Sequence, residues 1–354
     1  MMVIGADPHK NSHTLVAVDA ATGEQLGCET VPSSAAGSER AMRWARRLGR
    51  GPRVWAIEDC RHVSGRLERR LIAHGERVVR VAPKLMAGAR RSARTRGKSD
   101  PIDALAVARA AIREGVDRLP VAALEGRALE IRLLLDHHDD LVADRSDEQR
   151  RLRWHLHDLF EDLSIPAGAL DRTVWLDRVA WRLARTEQTT RVRIAREQVR
   201  SIRERTARIR ELEREIAALV QAEAPQLLGE VGCGALTAAK LIGEIAGAQR
   251  FATDAKLARA AGVAPVPVSS GRRDRHRLDR GGNRQLNCAL HRFAVNRAKW
   301  DPETAAYLAR KQAEGKTRME ALRCLKRHLA RLVHRLLTPT TPTANPLDAA
   351  LALT

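Results

Sequence analysis

The sequence predicts an α/β domain built on a mixed sheet, followed by a mostly helical remainder. Residues 1–118 alternate apolar, strand-like runs with amphipathic helical segments. Residues 119–223 contain no strand pattern, and helical spacing of apolar side chains recurs in residues 224–338. A length of 354 residues is enough for two or three domains that each bury a core.

The predicted sheet follows from the order of elements in residues 1–118. Three strand-like runs come first, joined by short connections: MMVIGAD, HTLVAVDA and QLGCETVP. Helix and strand then alternate through SERAMRWARRLG, RVWAIED, SGRLERRLIAHG and RVVRVAP, and DPIDALAVARAA begins a further helix. Three adjacent strands followed by alternating helices and strands predict a mixed sheet that is covered on both faces.

Long helices are predicted for residues 119–223, which we interpret as a coiled-coil connector. Ile209, Leu212, Ile216 and Leu219 recur every three to four residues, as in a helix that packs on a partner. The arginine-rich outer face of this helix fits a solvated surface and a nucleic-acid contact equally well. Two histidine pairs, at 137–138 and 155–157, do not share a helix face within each pair, so we expect them on the surface.

Residues 224–338 predict a second compact, helical region. Apolar stripes flank Gly232-Cys233-Gly234, the pattern of a helix-hairpin-helix, whose backbone N–H groups at Gly232 and Gly234 would contact a phosphate. Plain packing of two helices around a glycine break is the alternative. Residues 339–354 are biased towards Thr, Pro and Ala, and we expect a flexible tail.

The net charge of +20 indicates a polyanionic partner, most simply nucleic acid. Aromatic residues make up only 3% of the chain, whereas proteins that stack single-stranded bases usually carry more, so we expect phosphate contacts to dominate. The five cysteines show no CxxC spacing, and the sequence shows neither a signal-peptide pattern nor a transmembrane run. These features predict a cytoplasmic protein without a membrane partner.

Four carboxylates stand at the ends of predicted elements. Asp7 ends the first strand, Glu58 ends the fourth, and Asp100 and Asp103 lie in the first turn of the helix that DPIDA begins. For the last two, capping is the plain interpretation, with Asp100 as N-cap, Pro101 at N1 and Asp103 at N3. Convergence at one edge of the sheet is the functional one, because four carboxylates can hold two Mg²⁺ ions. That layout is the one found in ribonuclease-H-like nucleases.

The motifs around these carboxylates, DPHK, AIED and KSDPIDA, resemble those of the DEDD transposases of the IS110 insertion-sequence family. The resemblance continues through Gly262–Pro265, Ser270-Gly271 and the GGNRQLN run, so it spans about residues 3–338. It implies a RuvC-like domain at residues 1–118, the connector at 119–223, a C-terminal transposase domain at 224–338, and a tail outside the family match.

The resemblance also implies a mechanism. Asp7, Glu58, Asp100 and Asp103 would bind Mg²⁺, and a serine would attack a DNA phosphodiester to form a covalent protein–DNA intermediate. Ser270 matches that serine by position, being five residues after Pro265 and directly before a glycine, although the neighbouring Ser269 stays open. Members of the family are pictured as tetramers at the bacterial nucleoid, guided by a structured bridge RNA that pairs with donor and target DNA.

Basic residues beside these motifs are expected to contact nucleic acid. Together with Gly232 and Gly234 they are Lys10, Arg90, Arg91, Arg94, Arg96, Lys98, Arg272, Arg273, Arg275, Arg277 and Arg284. Two alternatives remain open. The first is a two-metal nuclease of the Holliday-junction type, which would use water as the nucleophile and would not need Ser270. The second is a basic nucleic-acid-binding protein without catalytic activity.

Overall fold

A computed structural model describes residues 1–58, 63–83, 85–86, 99–122, 126–270, 273–277, 279 and 281–338, with the backbone alone at 269–270 and 273–275. The strands are β1 (Met2–Pro8), β2 (Ser12–Asp19), β3 (Gln25–Pro32), β4 (Arg53–Glu58), β5 (Arg77–Val81), β6 (Val266–Ser270) and β7 (Arg273–Arg277). The helices are α1 (Ala35–Leu48), α2 (Gly65–Ala73), α3 (Asp100–Glu114), α4 (Arg127–Leu159), α5 (Thr173–Ala184), α6 (Thr190–Glu223), α7 (Pro225–Leu228), α8 (Ala235–Ile245), α9 (Asp254–Ala260), α10 (Arg284–Trp300), α11 (Pro302–Ala313) and α12 (Arg318–Leu337).

The chain forms two compact units. The first unit comprises Met1–Gly126, Glu230–Gly232 and Glu244–Thr354, and the second comprises Arg127–Gly229 and Cys233–Gly243. Within the described ranges, no helix combines the length and the apolar character needed to cross a lipid bilayer.

The first unit contains a five-stranded sheet in the order β3-β2-β1-β4-β5. The strand β1 pairs antiparallel with β2 and parallel with β4, while β2–β3 is antiparallel and β4–β5 is parallel. The predicted mixed sheet is therefore confirmed. Because β1 is central, all seven of its residues are buried. Helix α3 covers one face of the sheet, and α1 and α2 contribute to the core on the other face.

Helix α3 packs directly on the backbone of β1. A Cβ at Gly5 would lie 2.1 Å from the Ala104 carbonyl oxygen and 2.5 Å from the Ala108 nitrogen. Glycine at position 5, facing the alanines of α3, permits this close approach. The packing brings the first turn of α3 beside the carboxyl end of β1.

Replacing Gly5 with alanine is expected to destabilise the protein by about 3 kcal/mol, because the added methyl group meets backbone atoms that cannot rotate away. Urea denaturation would measure this loss. The control is Gly51→Ala, since a Cβ at Gly51 meets open space. A Gly5→Ala protein as stable as Gly51→Ala would show that α3 does not pack this closely on β1.

In the second unit, the long helices α4 and α6 pack against one another and α5 packs on α6. The buried side of α6 includes Ile209, Leu212 and Ile216, as their spacing predicts, while Val220 is buried in place of Leu219. The surface prediction is wrong for His138, which is 5% exposed. Its ring lies on the same side of α4 as the buried Leu135, with Nε2 3.5 Å from the Glu213 carboxylate of α6.

The C-terminal part of the first unit is not wholly helical. The strands β6 and β7 form an antiparallel pair, with Ser270 opposite Arg273. This hairpin corrects the expectation of an all-helical C-terminal region. The alternating valines in VPVSS explain the difference, because β-branched residues favour extended backbone.

Candidate metal-binding active site

Asp7 lies near the carboxyl end of β1 and is 6% exposed. Side chains alternate across a strand, so Asp7 shares the α3-covered face of the sheet with Val3 and Gly5. Burial is the largest cause that raises the pKa of Asp7 above its ordinary value. His9 opposes this rise, while the nearby Asp103 and Asp100 add to it. The carboxylate of Asp7 is thus held in an environment that favours a neutralising cation.

Asp100 and Asp103 lie on one face of the first turn of α3. The N-cap of α3 is Ser99, so Asp100 is the first helical residue and does not cap the helix as one interpretation predicted. The side chain of Asp100 is 54% exposed, whereas Asp103 is buried. The positive end of the helix dipole favours both carboxylates at this position.

His9 joins this group, and it is not among the site residues predicted from the sequence. Its Nε2 lies 3.3 Å from Oδ2 of Asp7 and 3.4 Å from Oδ1 of Asp100. Donor atoms of these three residues all lie within 4.8 Å of one another. The sequence signal for His9 was the DPH motif, because it places a histidine two residues after the carboxylate near the end of the strand.

The pairing of β1 with β4 places Glu58 at the same end of the sheet as Asp7. Ala6 of β1 pairs with Ile57 of β4, so the next residues along, Asp7 and Glu58, lie level with each other. Val54 and Ala56 face α3, and the two-residue period of a strand places Glu58 on that same face. Glu58 is partly buried. The fold therefore brings all four predicted carboxylate positions to one edge and one face.

The donor set fits a hard divalent cation. Carboxylate oxygens are the protein ligands preferred by Mg²⁺ and Mn²⁺, and an imidazole nitrogen is also a common metal ligand. Burial raises the pKa of Asp7, and repulsion by the carboxylates of Asp103 and Asp100 adds to that rise; a cation between them relieves this repulsion.

Two family models match the chain. The DEDD IS110 model, described as "Transposase", matches residues 4–161, which contain the four carboxylates. The model described as "Transposase IS116/IS110/IS902 family" matches residues 226–309. The chain belongs to the IS110 family of DEDD transposases.

Similar proteins come from insertion elements of Streptomyces and Mycobacterium. This transposase is 28% identical to the IS116 44.8 kDa protein of Streptomyces clavuligerus over 96% of both chains. It is 27% identical to the IS900 42 kDa protein of Mycobacterium paratuberculosis, over 83% of this chain and 86% of that protein. A solved structure titled "T. thermophilus RuvC in complex with Holliday junction substrate" aligns with 34% of this chain and 99% of its own, at 18% identity and a TM-score of 0.27.

The second matched region of the transposase holds the segment that leads to Ser270. Asn283 caps α10 and donates through its backbone N–H to the Ala260 carbonyl oxygen at 2.6 Å. Gly262 has a φ of +66°. Gly282 lies against it, and a Cβ at Gly282 would collide with the backbone of Gly262. Gly282 and Asn283 of the GGN motif thus fix the turn that precedes β6.

A buried lysine supports this turn from α12. Lys326 is 6% exposed and donates from Nζ to Oδ1 of Asn287 at 2.8 Å. Asn287 in turn donates from Nδ2 to the carbonyl oxygens of Ala261 (2.9 Å) and Gly262 (3.2 Å). Burial lowers the pKa of Lys326. The amide of Asn287 is therefore fixed in one orientation, with its NH₂ group towards the turn.

The Asn287→Leu variant is expected to destabilise the protein by about 2–4 kcal/mol, because two backbone carbonyl oxygens lose their donor and the buried ammonium of Lys326 loses its acceptor. Urea denaturation would measure this loss. Asn296→Leu is the matched control, as Asn296 is exposed on the same helix. Equal stability of the two variants would contradict the role assigned to Asn287.

The basic residues predicted to contact nucleic acid fall into two groups. Lys10, Arg277 and Arg284 are exposed. Arg90, Arg91, Arg94, Arg96, Lys98 and Arg272 lie outside the described residues, as do the side chains of Ser270, Arg273 and Arg275.

The two glycines of the predicted hairpin differ in their surroundings. Gly232 has a φ of +89°, and a Cβ there would lie 2.4 Å from the backbone nitrogen of Arg297. This residue therefore has a packing role. Gly234 faces open space, as a phosphate contact requires.

Proposed function

We propose that this transposase cuts and rejoins DNA through a serine nucleophile and a divalent-metal site, guided by a structured RNA. The observation that carries the proposal is the convergence of Asp7, Asp100 and His9 at the sheet edge where Glu58 and Asp103 also lie. The membership of the IS110 family supports DNA as the substrate.

The acidic residues would hold Mg²⁺. A cation held there would supply Lewis-acid polarisation of the scissile phosphodiester and stabilisation of the leaving oxygen. Asp7 anchors the site because it is buried and its strand is central, whereas Asp100 lies at the exposed rim where DNA can approach. The Nε2 atom of His9 lies between their carboxylates, where it would be a further ligand for the cation.

Ser270 would supply the attacking oxygen. Its hydroxyl releases a proton to solvent as Oγ bonds to phosphorus. The bond from phosphorus to the leaving DNA oxygen breaks, and that oxygen takes up a proton from solvent, so one phosphodiester is exchanged for another. The DNA–serine bond retains the energy needed for rejoining, and no external energy source is required. The family resemblance supports a tetramer in which one subunit's acidic site works with another subunit's serine, and a guide RNA that pairs with donor and target DNA.

A trapping assay tests this function. The chain is co-expressed with the non-coding DNA that flanks its element, purified, and incubated with labelled donor and target duplexes and Mg²⁺. We expect a covalent protein–DNA band on a denaturing gel that requires both Mg²⁺ and the co-purified RNA. Cleaved DNA without a covalent band would indicate a water-using nuclease. A band that survives ribonuclease treatment of the complex before DNA is added would overturn the RNA guidance.

A further inference from the structure

The outer face of α5 exposes apolar and cationic side chains together. Val174 is 77% exposed and Trp181 is 59% exposed. Arg178 and Arg185 follow at the same helical spacing, so the four side chains form one stripe along the helix. The opposite side of α5, with Leu176, Val179 and Leu183, is buried in the core of the second unit. Burial in that core explains one side of the helix, and the exposed stripe needs another explanation.

Arginine side chains lie over the indole rings of this helix. The Cζ atom of Arg185 is 3.9 Å from the centre of the Trp181 ring, and that of Arg178 is 5.1 Å from the centre of the Trp175 ring. A guanidinium over one face of an indole limits the movement of both groups. The stacked pairs are therefore organised before any partner binds.

The chemistry of this stripe matches a planar and anionic partner. An unpaired base offers a π-face that stacks on an indole or a guanidinium, and its phosphate accepts hydrogen bonds from arginine. In a duplex the base faces are covered by neighbouring bases, so a duplex offers only its backbone and groove edges.

A second copy of this chain fits the stripe less well. In a symmetric dimer the same patch meets itself, which would bring Arg178 and Arg185 against the arginines of the other copy. The acidic group of this helix region, Asp177, already pairs with Arg203 of α6. Self-association would therefore bring arginines of the two copies together, and their repulsion disfavours it. A polyanion would neutralise the same arginines.

We propose that the outer face of α5, consisting of Val174, Trp175, Arg178, Trp181 and Arg185, binds unpaired bases of a nucleic-acid strand. The proposal goes beyond the proposed function, since it depends on neither Ser270 nor the metal site. It differs from the expectation that phosphate contacts dominate. That expectation came from the number of aromatic residues, whereas the exposure of Trp181 decides whether a base can reach it.

The test measures binding of the full chain to fluorescent 12-mers of oligo-U, oligo-dT and a blunt duplex by anisotropy. We expect Trp181→Ala to weaken binding of a single-stranded 12-mer by about five- to a hundred-fold, the loss of one base stack. Trp181→Phe keeps a ring and should retain most of the affinity. The two single-stranded probes distinguish RNA from DNA as the partner, and duplex affinity should change less than about twofold.

Trp154→Ala is the matched control. Trp154 is 72% exposed on α4 of the same unit and meets His157 edge-on, without an arginine stack among the described contacts. Its loss should change single-strand affinity by less than about twofold. For single-strand binding, the logarithm of the association constant falls linearly with the logarithm of the salt concentration. The Arg178→Gln/Arg185→Gln double variant should make this slope shallower by about one to two.

Three results would overturn the proposal. One is an equal effect of Trp154→Ala and Trp181→Ala on oligonucleotide affinity, and another is no effect of either. The third is unchanged oligonucleotide binding together with a loss of dimers in sedimentation of Trp181→Ala, which would identify a second copy as the occupant.

Discussion

The Ser270→Ala variant is expected to form no covalent protein–DNA intermediate, a loss of at least about 10³-fold in the rate of strand transfer. Alanine has no oxygen to attack phosphorus, while the acidic site in the N-terminal domain remains intact. The measurement is the covalent band on a denaturing gel, followed over time with wild-type protein in parallel.

The neighbouring serine provides the control for this prediction. Ser269→Ala should leave the covalent band in place, because the family resemblance assigns the nucleophile to the serine directly before Gly271, which is Ser270. If Ser269→Ala loses the band and Ser270→Ala keeps it, the nucleophile is Ser269. If Ser270→Ala still cleaves DNA at the wild-type rate, the reaction uses water and the serine assignment is wrong.

The Asp7→Asn variant is expected to lose at least about 10³-fold in cleavage rate, since it removes the buried carboxylate at the centre of the acidic site. The amide keeps the shape of the side chain, so the fold is retained. Cleavage in Mg²⁺ and in Mn²⁺ would be measured beside Glu24→Gln, which removes an exposed carboxylate from a turn of the same domain. Cleavage by Asp7→Asn at the rate of Glu24→Gln would exclude Asp7 from the active site.

The same variant should be more stable than the wild type in metal-free buffer. The pKa of Asp7 is raised in the folded protein, so the stability that this group contributes is present at low pH and is lost as the pH rises through the folded pKa. At neutral pH the charged carboxylate therefore destabilises the fold. Asn removes that penalty, and we expect a melting temperature about 2–4 °C higher, with a smaller increase on adding Mg²⁺ than in the wild type. A lower melting temperature would contradict this account.

Much of the N-terminal sheet follows from local sequence patterns. The run RVWAIE predicted a buried strand ending in a carboxylate, and the structure has β4 from Arg53 to Glu58. The alternation of HTLVAVDA and the following turn likewise predicted β2 and the entry to β3. These predictions succeeded because strand formation here depends on apolar periodicity, which is visible within eight residues of sequence.

The C-terminal region was harder to predict from local patterns. The valines of VPVSS favour extended backbone in β6, but RDRHR is polar throughout, so its hydropathy gave no sign of β7, which depends on pairing with β6. The buried Lys326 was equally hidden, since its acceptor Asn287 lies 39 residues away in the chain. Long-range contacts of polar groups leave no periodic signal in the sequence.

The sequence by itself determined the family, the mixed sheet and the positions of the four carboxylates at the ends of elements, because each of them ends or begins an element whose pattern is local. Only the tertiary structure decided that His9 joins Asp7 and Asp100, and that Ser99 rather than Asp100 caps α3. It also decided that Trp181 faces solvent under a stacked arginine. The physical reason is the same in each case: burial, and the distance between side chains remote in sequence, are set by how β1, α3 and α5 pack, and residue type alone does not encode that packing.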